Sequence, residues 1–365
     1  MIKLDGSYCE GGGQIVRTAL ALSVLTQKPF EVSDIRKGRK EPGLKNQHLF
    51  CIRALKQLCD AKTEGDSLGS EYLKFVPGEI KAKNLNIDIE TAGSITLLLQ
   101  SLLLPCFFAG KRMKIEIVGG TDTKWSMPVD YFKEILVPQL NRFCEKIDVK
   151  LIKRGYYPKG NGNVLVNINP KYKLKQFNNF NEFSDHLKNE KKGYNLFEQE
   201  HLIQVKGISH ASYDLEKAKV AERQAKAAEV ILNQLNCHVD IRAEYQSTLS
   251  TGSGITLWAI FSKEKDEIDV FNPIRIGADS LGERGKKAEA VGKEAAERLI
   301  NEISCKAPVD RYLADNLIPW LALFKGKIRV SEVTNHTLTN IYVIEKFLGK
   351  VFEIDKDNGV VSTIS

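Results

Sequence analysis

His336 stands in "TNHTLTNIYVIEKFL", where small polar residues run into a helical pattern, and it is one of only six histidines in the chain. Histidine has a general aptitude for catalysis, as nucleophile or as acid and base. Histidine in such a place can equally be a solvated neighbour of a helix start. A second stretch, "GSYCEGGGQIVRTALALS", sets Gly11, Gly12 and Gly13 just before a helix. Glycines let a ligand approach the backbone, and a helix N-terminus offers N–H groups to an anion. There, Glu10 could hold a divalent cation and Arg17 could reach a phosphate, although the spacing is that of neither common phosphate-loop motif. A third stretch, "IRKGRKEPGLKNQH", packs Arg36, Lys37, Arg39 and Lys40 together, with Gln47 and His48 at the following helix start. Guanidinium forks fit phosphate oxygens, whereas most charge runs are only solvated faces. In "DRYLADNLIPW", Tyr312 could stack on a base, and Asp315 could anchor a polar group or cap the helix.

Three segments share a plan that would position these residues: apolar helix, short link, strand, polar loop, second helix. Their strands are "FEVSDI", "MKIEIV" and "KIRVSEV", short and rich in β-branched residues. Helical spacing of Ile341, Ile344, Phe347 and Leu348 marks the last helix. Repeated units pack in like orientation, so the loops "RKGRKEPGLKNQH", "GGTDTKWSMPVD" and "TNHTLTN" should emerge at equivalent ends. The plan breaks at the Asn- and Lys-rich "QFNNFNEFSDHLKNEKKGYN". A strand, a long Ala/Lys/Glu helix and two more strands follow. The expected architecture is α/β: a large domain of three helix–strand–helix repeats over residues 1–180 and 275–365, with a smaller β-α-β-β domain inserted at residues 181–274. The helix "RGKKAEAVGKEAAERLINEI" is expected to resume the large domain.

A chain of 365 residues suits two domains or one with an insertion. The net charge of +7 favours a polyanionic partner without specifying one. Seven scattered cysteines without a C-x-x-C pair read as reduced thiols, not a disulfide framework or zinc site. The run Ile95–Gly110 is interrupted by Gln100 and Pro105 and is too short to span a bilayer, so a buried helix is expected. "MIKLDGSYCEGGG" has no apolar signal region. A soluble, cytoplasmic protein is the expectation.

In order, "GSYCEGGGQIVR", "RKGRKEPGLKNQH", "RGYYPKGNG", "GADSLGERGKKAEAVG", "YLADN" and "NHTLTN" resemble the RNA 3′-terminal phosphate cyclase family, from Leu4 to about Phe352. The resemblance implies a fold similar to the C-terminal domain of translation initiation factor 3 and to enolpyruvyl transferases. It implies His336 as the nucleophile that takes AMP from ATP. Gln100, Pro128, Tyr312, Leu313, Ala314, Asp315 and Asn316 would contact the nucleotide. Arg17, Arg36, Arg39, Gln47 and His48 would form the phosphate and RNA-end pocket, and Glu10 would hold Mg2+ or Mn2+. The sequence departs from the family pattern at Asn161, a glycine in "RGxxPxGGG", and at Asn316, a glutamine in "YLADQ".

The implied reaction is ATP-dependent conversion of an RNA 3′-phosphate into a 2′,3′-cyclic end through histidyl–AMP. A neutral imidazole is favoured at a helix N-terminus. The RNA should be recognised by its end, since no RNP-type aromatic pattern, zinc knuckle or GXXG clamp occurs. One rival is a non-catalytic ribosome-biogenesis scaffold of the cyclase-like branch, which lacks the histidine. The other is an enolpyruvyl transferase, which would leave His336 and "YLADN" without a role. The oligomeric state is left open.

Overall fold

Short strands and helices with broad apolar faces dictate a layered arrangement, because each helix can bury that face only against another helix or a sheet. The computed structural model describes residues 1–9, 12–189, 193–265 and 274–364. The first unit comprises β1 (Ile2–Asp5), α1 (Gln14–Thr26), β2 (Phe30–Ser33), α2 (Asn46–Cys59), β3 (Lys62–Glu64) and β4 (Leu73–Val76). The second comprises β5 (Leu85–Asp88), α3 (Ile95–Phe107) and β6 (Met113–Gly119), then a continuous helical run of α4 (Val129–Tyr131), a π-helical turn (Phe132–Leu136) and α5 (Val137–Leu140), closed by β7 (Lys146–Lys153) and β8 (Gly162–Asn169). After α6 (Phe180–Lys188) the third unit opens with β9 (Tyr194–Leu196). It is interrupted by β10 (His201–Ser212), α7 (Val220–Leu232), β11 (His238–Gln246), β12 (Ser253–Ser262), β13 (Ile274–Leu281) and α8 (Ala288–Ser304). It resumes with α9 (Arg311–Phe324), β14 (Gly326–Arg329), α10 (Asn335–Leu348), β15 (Phe352–Asp355) and β16 (Val360–Thr363).

The sheet orders β1-β2-β4-β3, β5-β6-β8-β7 and β9-β14-β16-β15 are the same. In each, the first two strands are parallel and the last two join antiparallel. The repeating unit is thus β-α-β-α-β-β, larger than a helix–strand–helix triplet. The fourth sheet, β11-β10-β12-β13, is wired differently.

Two features of the packing bear on the expected boundaries at 181 and 274. β9 pairs with β14, and α8 packs against α7, β12 and β13. We propose that the inserted unit runs from His201 to Ser304, between β9 and α9. All ten residues of β12 are buried, so both faces of the sheet are covered along this strand. One face carries α7 and α8; the other meets the second unit, where a Cβ on Gly277 would lie 2.6 Å from Ile135 and 2.7 Å from Tyr131.

α1 is central. It packs against α2, α3 and α10, and every residue but Thr18 is buried. α3 is buried at every position except Gln100, with Pro105 inside its last turn. Among the described residues no helix is long and apolar enough to cross a membrane.

A buried charge cluster joins the insertion to the second unit. Arg154 has no exposed side-chain surface, and its guanidinium reaches Asp122 (3.2 Å), Asp130 (2.6 Å) and Glu244 of β11 (2.7 Å). His210 of β10 places Nε2 3.2 Å from Asp122, off the hydrogen-bond line, while Nδ1 lies 2.8 Å from the Tyr156 hydroxyl. Burial works to raise the Asp122 pKa, but His210 and Arg154 outweigh it and hold the carboxyl well below its usual range. Asn161, in the same "RGYYPKGNG" loop, has φ 59°. Asparagine tolerates the left-handed region better than most residues, so it stands in for the family glycine at little cost.

Arg154→Met should leave Asp122 and Asp130 buried without their cation and cost about 3–5 kcal/mol. Arg154→Lys should recover little, because an ammonium cannot span three carboxylates. Urea unfolding checks both variants; a loss below about 1 kcal/mol would show that the cluster is solvated.

Candidate active site

The first turn of α10 carries His336, whose side chain is exposed. That turn is fixed from three directions. Thr334 caps the helix, its hydroxyl accepting from the Thr337 amide at 3.0 Å. Asp315, one helix away, accepts from the hydroxyls of Thr334 (3.0 Å) and Thr337 (2.8 Å) through Oδ1. Gln14, on the first turn of α1, donates to the His336 carbonyl at 3.5 Å. Asn340 completes the frame, its amide donating to the Asp315 carbonyl at 2.6 Å and its Oδ1 accepting from Thr18 at 2.7 Å. Asp315 therefore does not cap α9. Asp310 does, accepting from the amides of Tyr312 (3.0 Å) and Leu313 (2.9 Å).

The lone partly buried positions of α1 and α3, Thr18 and Gln100, face one cavity, which Gln14, Asp315, Asn316 and Asn340 also line. Gln100 accepts from Arg17 Nε at 3.1 Å and donates to Asn316 Oδ1 at 3.0 Å, linking the three units. Tyr312 is about half exposed at the start of α9. Pro128 is buried where it opens α4, and Tyr131 of that helix donates to Asp310 Oδ1 at 2.5 Å, holding the start of α4 beside that of α9. Leu313 and Ala314 are fully buried, so their side chains belong to the core.

Arg17 is buried, and its polar side-chain partner among the described residues is the neutral Gln100. Burial lowers its pKa, and Arg36 pushes the same way. Burial likewise lowers Arg36, with Arg39 next. His48 shares this positive environment. Its Nδ1 accepts the Lys45 amide at 2.9 Å, which places the ring proton on Nε2. Nε2 is buried without a hydrogen-bond partner among the described residues, and it points at the glycine turn. A Cβ on Gly13 would lie 1.9 Å from it, so this close approach requires glycine. Burial, then Arg17, Arg36 and Lys45, bring the His48 pKa down to about 3. A buried N–H aimed at the start of α1 and a buried guanidinium on the first turn of that helix, with no carboxylate paired to either among the described residues, form a cradle suited to an oxyanion.

Gln47 is half-buried on the first turn of α2, and Arg39 is exposed on the preceding loop. Glu10, the expected metal ligand, lies outside the described residues. Asp122, Asp130 and His210 offer ligand atoms within 4.8 Å of one another. Arg154 already sits between the two carboxylates, so a second cation there would meet a guanidinium, and the group fits an ion-pair cluster instead. Gln14, Thr18 and Asn340 escaped the sequence reading. The available signal was a polar residue inside an otherwise apolar helix, and for Asn340 its spacing of four from His336.

Because the folded-state pKa of His48 is depressed, the unfolded chain binds more protons between pH 6.5 and about 3, and stability falls as pH drops through that window. Between pH 7 and pH 5 the wild type should lose about 2 kcal/mol more than His48→Gln. Parallel urea titrations at the two pH values check this; equal losses would mean that His48 is solvated.

The family model for RNA 3′-terminal phosphate cyclase matches residues 8–354. An RNA 3′-terminal phosphate cyclase of Pyrococcus furiosus is 44% identical over 354 residues, covering 97% of this chain and 95% of its own length. Proteins of the same name are 43% identical in Saccharolobus solfataricus, covering 97% of this chain and 96% of theirs, and 40% identical in Archaeoglobus fulgidus, covering 99% and 100%. These matches run through all three repeated units and the insertion. The chain belongs to the RNA 3′-terminal phosphate cyclase family.

Proposed function

We propose that this protein converts RNA 3′-phosphates into 2′,3′-cyclic ends at the expense of ATP, with His336 as the nucleophile. The observation that carries the reading is the convergence of His336, the Gln100–Asn316 pair and the buried Arg17 around the N-terminal turns of α1 and α10. In the first step an imidazole nitrogen attacks the α-phosphorus of ATP, the α–β bridging bond breaks and pyrophosphate leaves. An oxygen of the RNA 3′-phosphate then attacks the same phosphorus, breaking the P–N bond and restoring the histidine. Finally the 2′-hydroxyl attacks the activated terminal phosphate, giving its proton to solvent and releasing AMP.

The residues divide this work. Tyr312 offers an exposed ring to the adenine, with Pro128 proposed for its other face and Gln100, Asp315 and Asn316 as polar contacts. Leu313 and Ala314 shape the helix behind them. Arg17, Arg36, Arg39, Gln47 and His48 hold phosphate oxygens. Mg2+ or Mn2+, which we assign to Glu10, would neutralise charge on the triphosphate. Phosphate contacts carry no base information, so RNAs of unrelated sequence should react alike, and less well as salt rises. Unpaired thiols suit a cytoplasmic setting.

Incubation of 3′-phosphorylated RNAs with ATP and divalent metal should give ends resistant to phosphatase. His336→Asn should lower that yield by about a thousandfold or more while leaving the fold intact, because an exposed side chain contributes little to stability. Binding of RNA without turnover by either form would instead support the scaffold reading.

A further inference from the structure

Trp125 is 94% exposed, whereas Trp258 and Trp320 are each 4% exposed. Its backbone has φ 61°, a left-handed conformation that bulky residues avoid. The loop around it is nevertheless tightly held. The Thr123 and Ser126 hydroxyls bond at 2.8 Å, Ser126 donates to the Thr123 carbonyl at 2.9 Å, and Lys124 pairs with Glu283 at 3.1 Å. On one side the loop is anchored by Asp122 on Arg154, and on the other by Thr96, which donates to the Met127 carbonyl at 2.8 Å. A strained, rigid backbone that drives an indole into water is an outlier that calls for a functional reason.

The surroundings point to the partner. Trp125 lies three residues before Pro128, the residue that opens α4 beside the start of α9. A backbone bridge from Asp122 to Tyr156 brings in the neighbouring loop, where Tyr157 is 77% exposed and Lys159 is also exposed. Lys124 is exposed, and so is Arg284, adjacent to Glu283. Exposed aromatic rings among cations are what single-stranded nucleic acid uses: bases stack while the backbone is neutralised. We propose that Trp125 is a stacking platform for an unpaired base of the RNA substrate near its 3′ end. This rests on the cyclase reading above. It adds a contact with a base face, which every sequence offers, to contacts with phosphates. Because the loop that carries the indole is already held, little backbone freedom is lost on binding.

The test combines Trp125→Ala and Trp125→Phe with a single-stranded RNA carrying a 3′-phosphate, at fixed salt. Quenching of the exposed indole should accompany binding in the wild type. Trp125→Ala should raise the RNA Kd, and the KM in cyclisation, by about 5- to 100-fold, and Trp125→Phe should retain most of the affinity. Labelling of the protein by α-labelled ATP alone should be unchanged in both variants. The dependence on Trp125 should vanish for an RNA whose 3′ end lies in a blunt duplex. Equal Kd for wild type and Trp125→Ala, with no quenching, would overturn the proposal and leave the indole for a protein partner. Should the wild type fail to label or cyclise, the cyclase reading would fall, and the fluorescence titration would still decide whether Trp125 binds RNA.

Discussion

A guanidinium with no exposed surface is strongly destabilising unless acids meet it, and the three acids that meet Arg154 organise much of this molecule. Its partners come from three places: Asp122 after β6, Asp130 in α4 and Glu244 in β11. The two aspartates bracket the loop that carries Trp125 and Pro128, so one cation closes that loop and docks the inserted sheet onto the second unit. Replacing such a cluster with apolar residues can be neutral for stability, which makes geometry a better account of its presence. Tyr131, one residue beyond Asp130, carries the constraint on to Asp310 and so to the start of α9.

From there the site follows by short links. Asp315 lies on the second turn of α9 and receives both hydroxyls of the turn that bears His336. Gln14 ties the same turn to α1. In this way an exposed side chain gains a fixed backbone, which is the condition for a nucleophile to meet a bound phosphate in line. Burying Arg17 beside Gln100, away from carboxylates among the described residues, costs stability and leaves a positive field around His48. The proposed chemistry uses that stored electrostatic energy when phosphate arrives.

Much of this arrangement was legible in the chain. The strands around Val32, Ile115 and Ile328, each set between two apolar helices, announced the repeat, and the loops carrying His336, Arg36 and Trp125 stood out by composition. The outer strands did not. β9 has three residues and β1 has four, and neither is set between two helices, the context that marks the equally short β2 and β14. The helix at Ala288–Ser304 read as part of the large domain because its amphipathic pattern names no partner; only packing shows that α7 and β13 supply it. Asp315 had two sequence roles of similar merit, cap or anchor, and Asp310 settled the first by taking the cap. Arg154 belongs to "RGYYPKGNG", a motif that carries the family resemblance without marking its arginine. Its burial depends on acids distant in the sequence, Asp122, Asp130 and Glu244, which local pattern does not reveal.

The proposed role of His336 as nucleophile is tested most directly by peptide mapping after incubation with ATP and divalent metal, without RNA, at alkaline pH because the P–N bond is acid-labile. The account predicts an added AMP on the peptide containing Thr334–Lys346, localised to His336 and removed when a 3′-phosphorylated RNA is supplied. An unmodified peptide, or AMP carried on a lysine elsewhere in the chain, would contradict it.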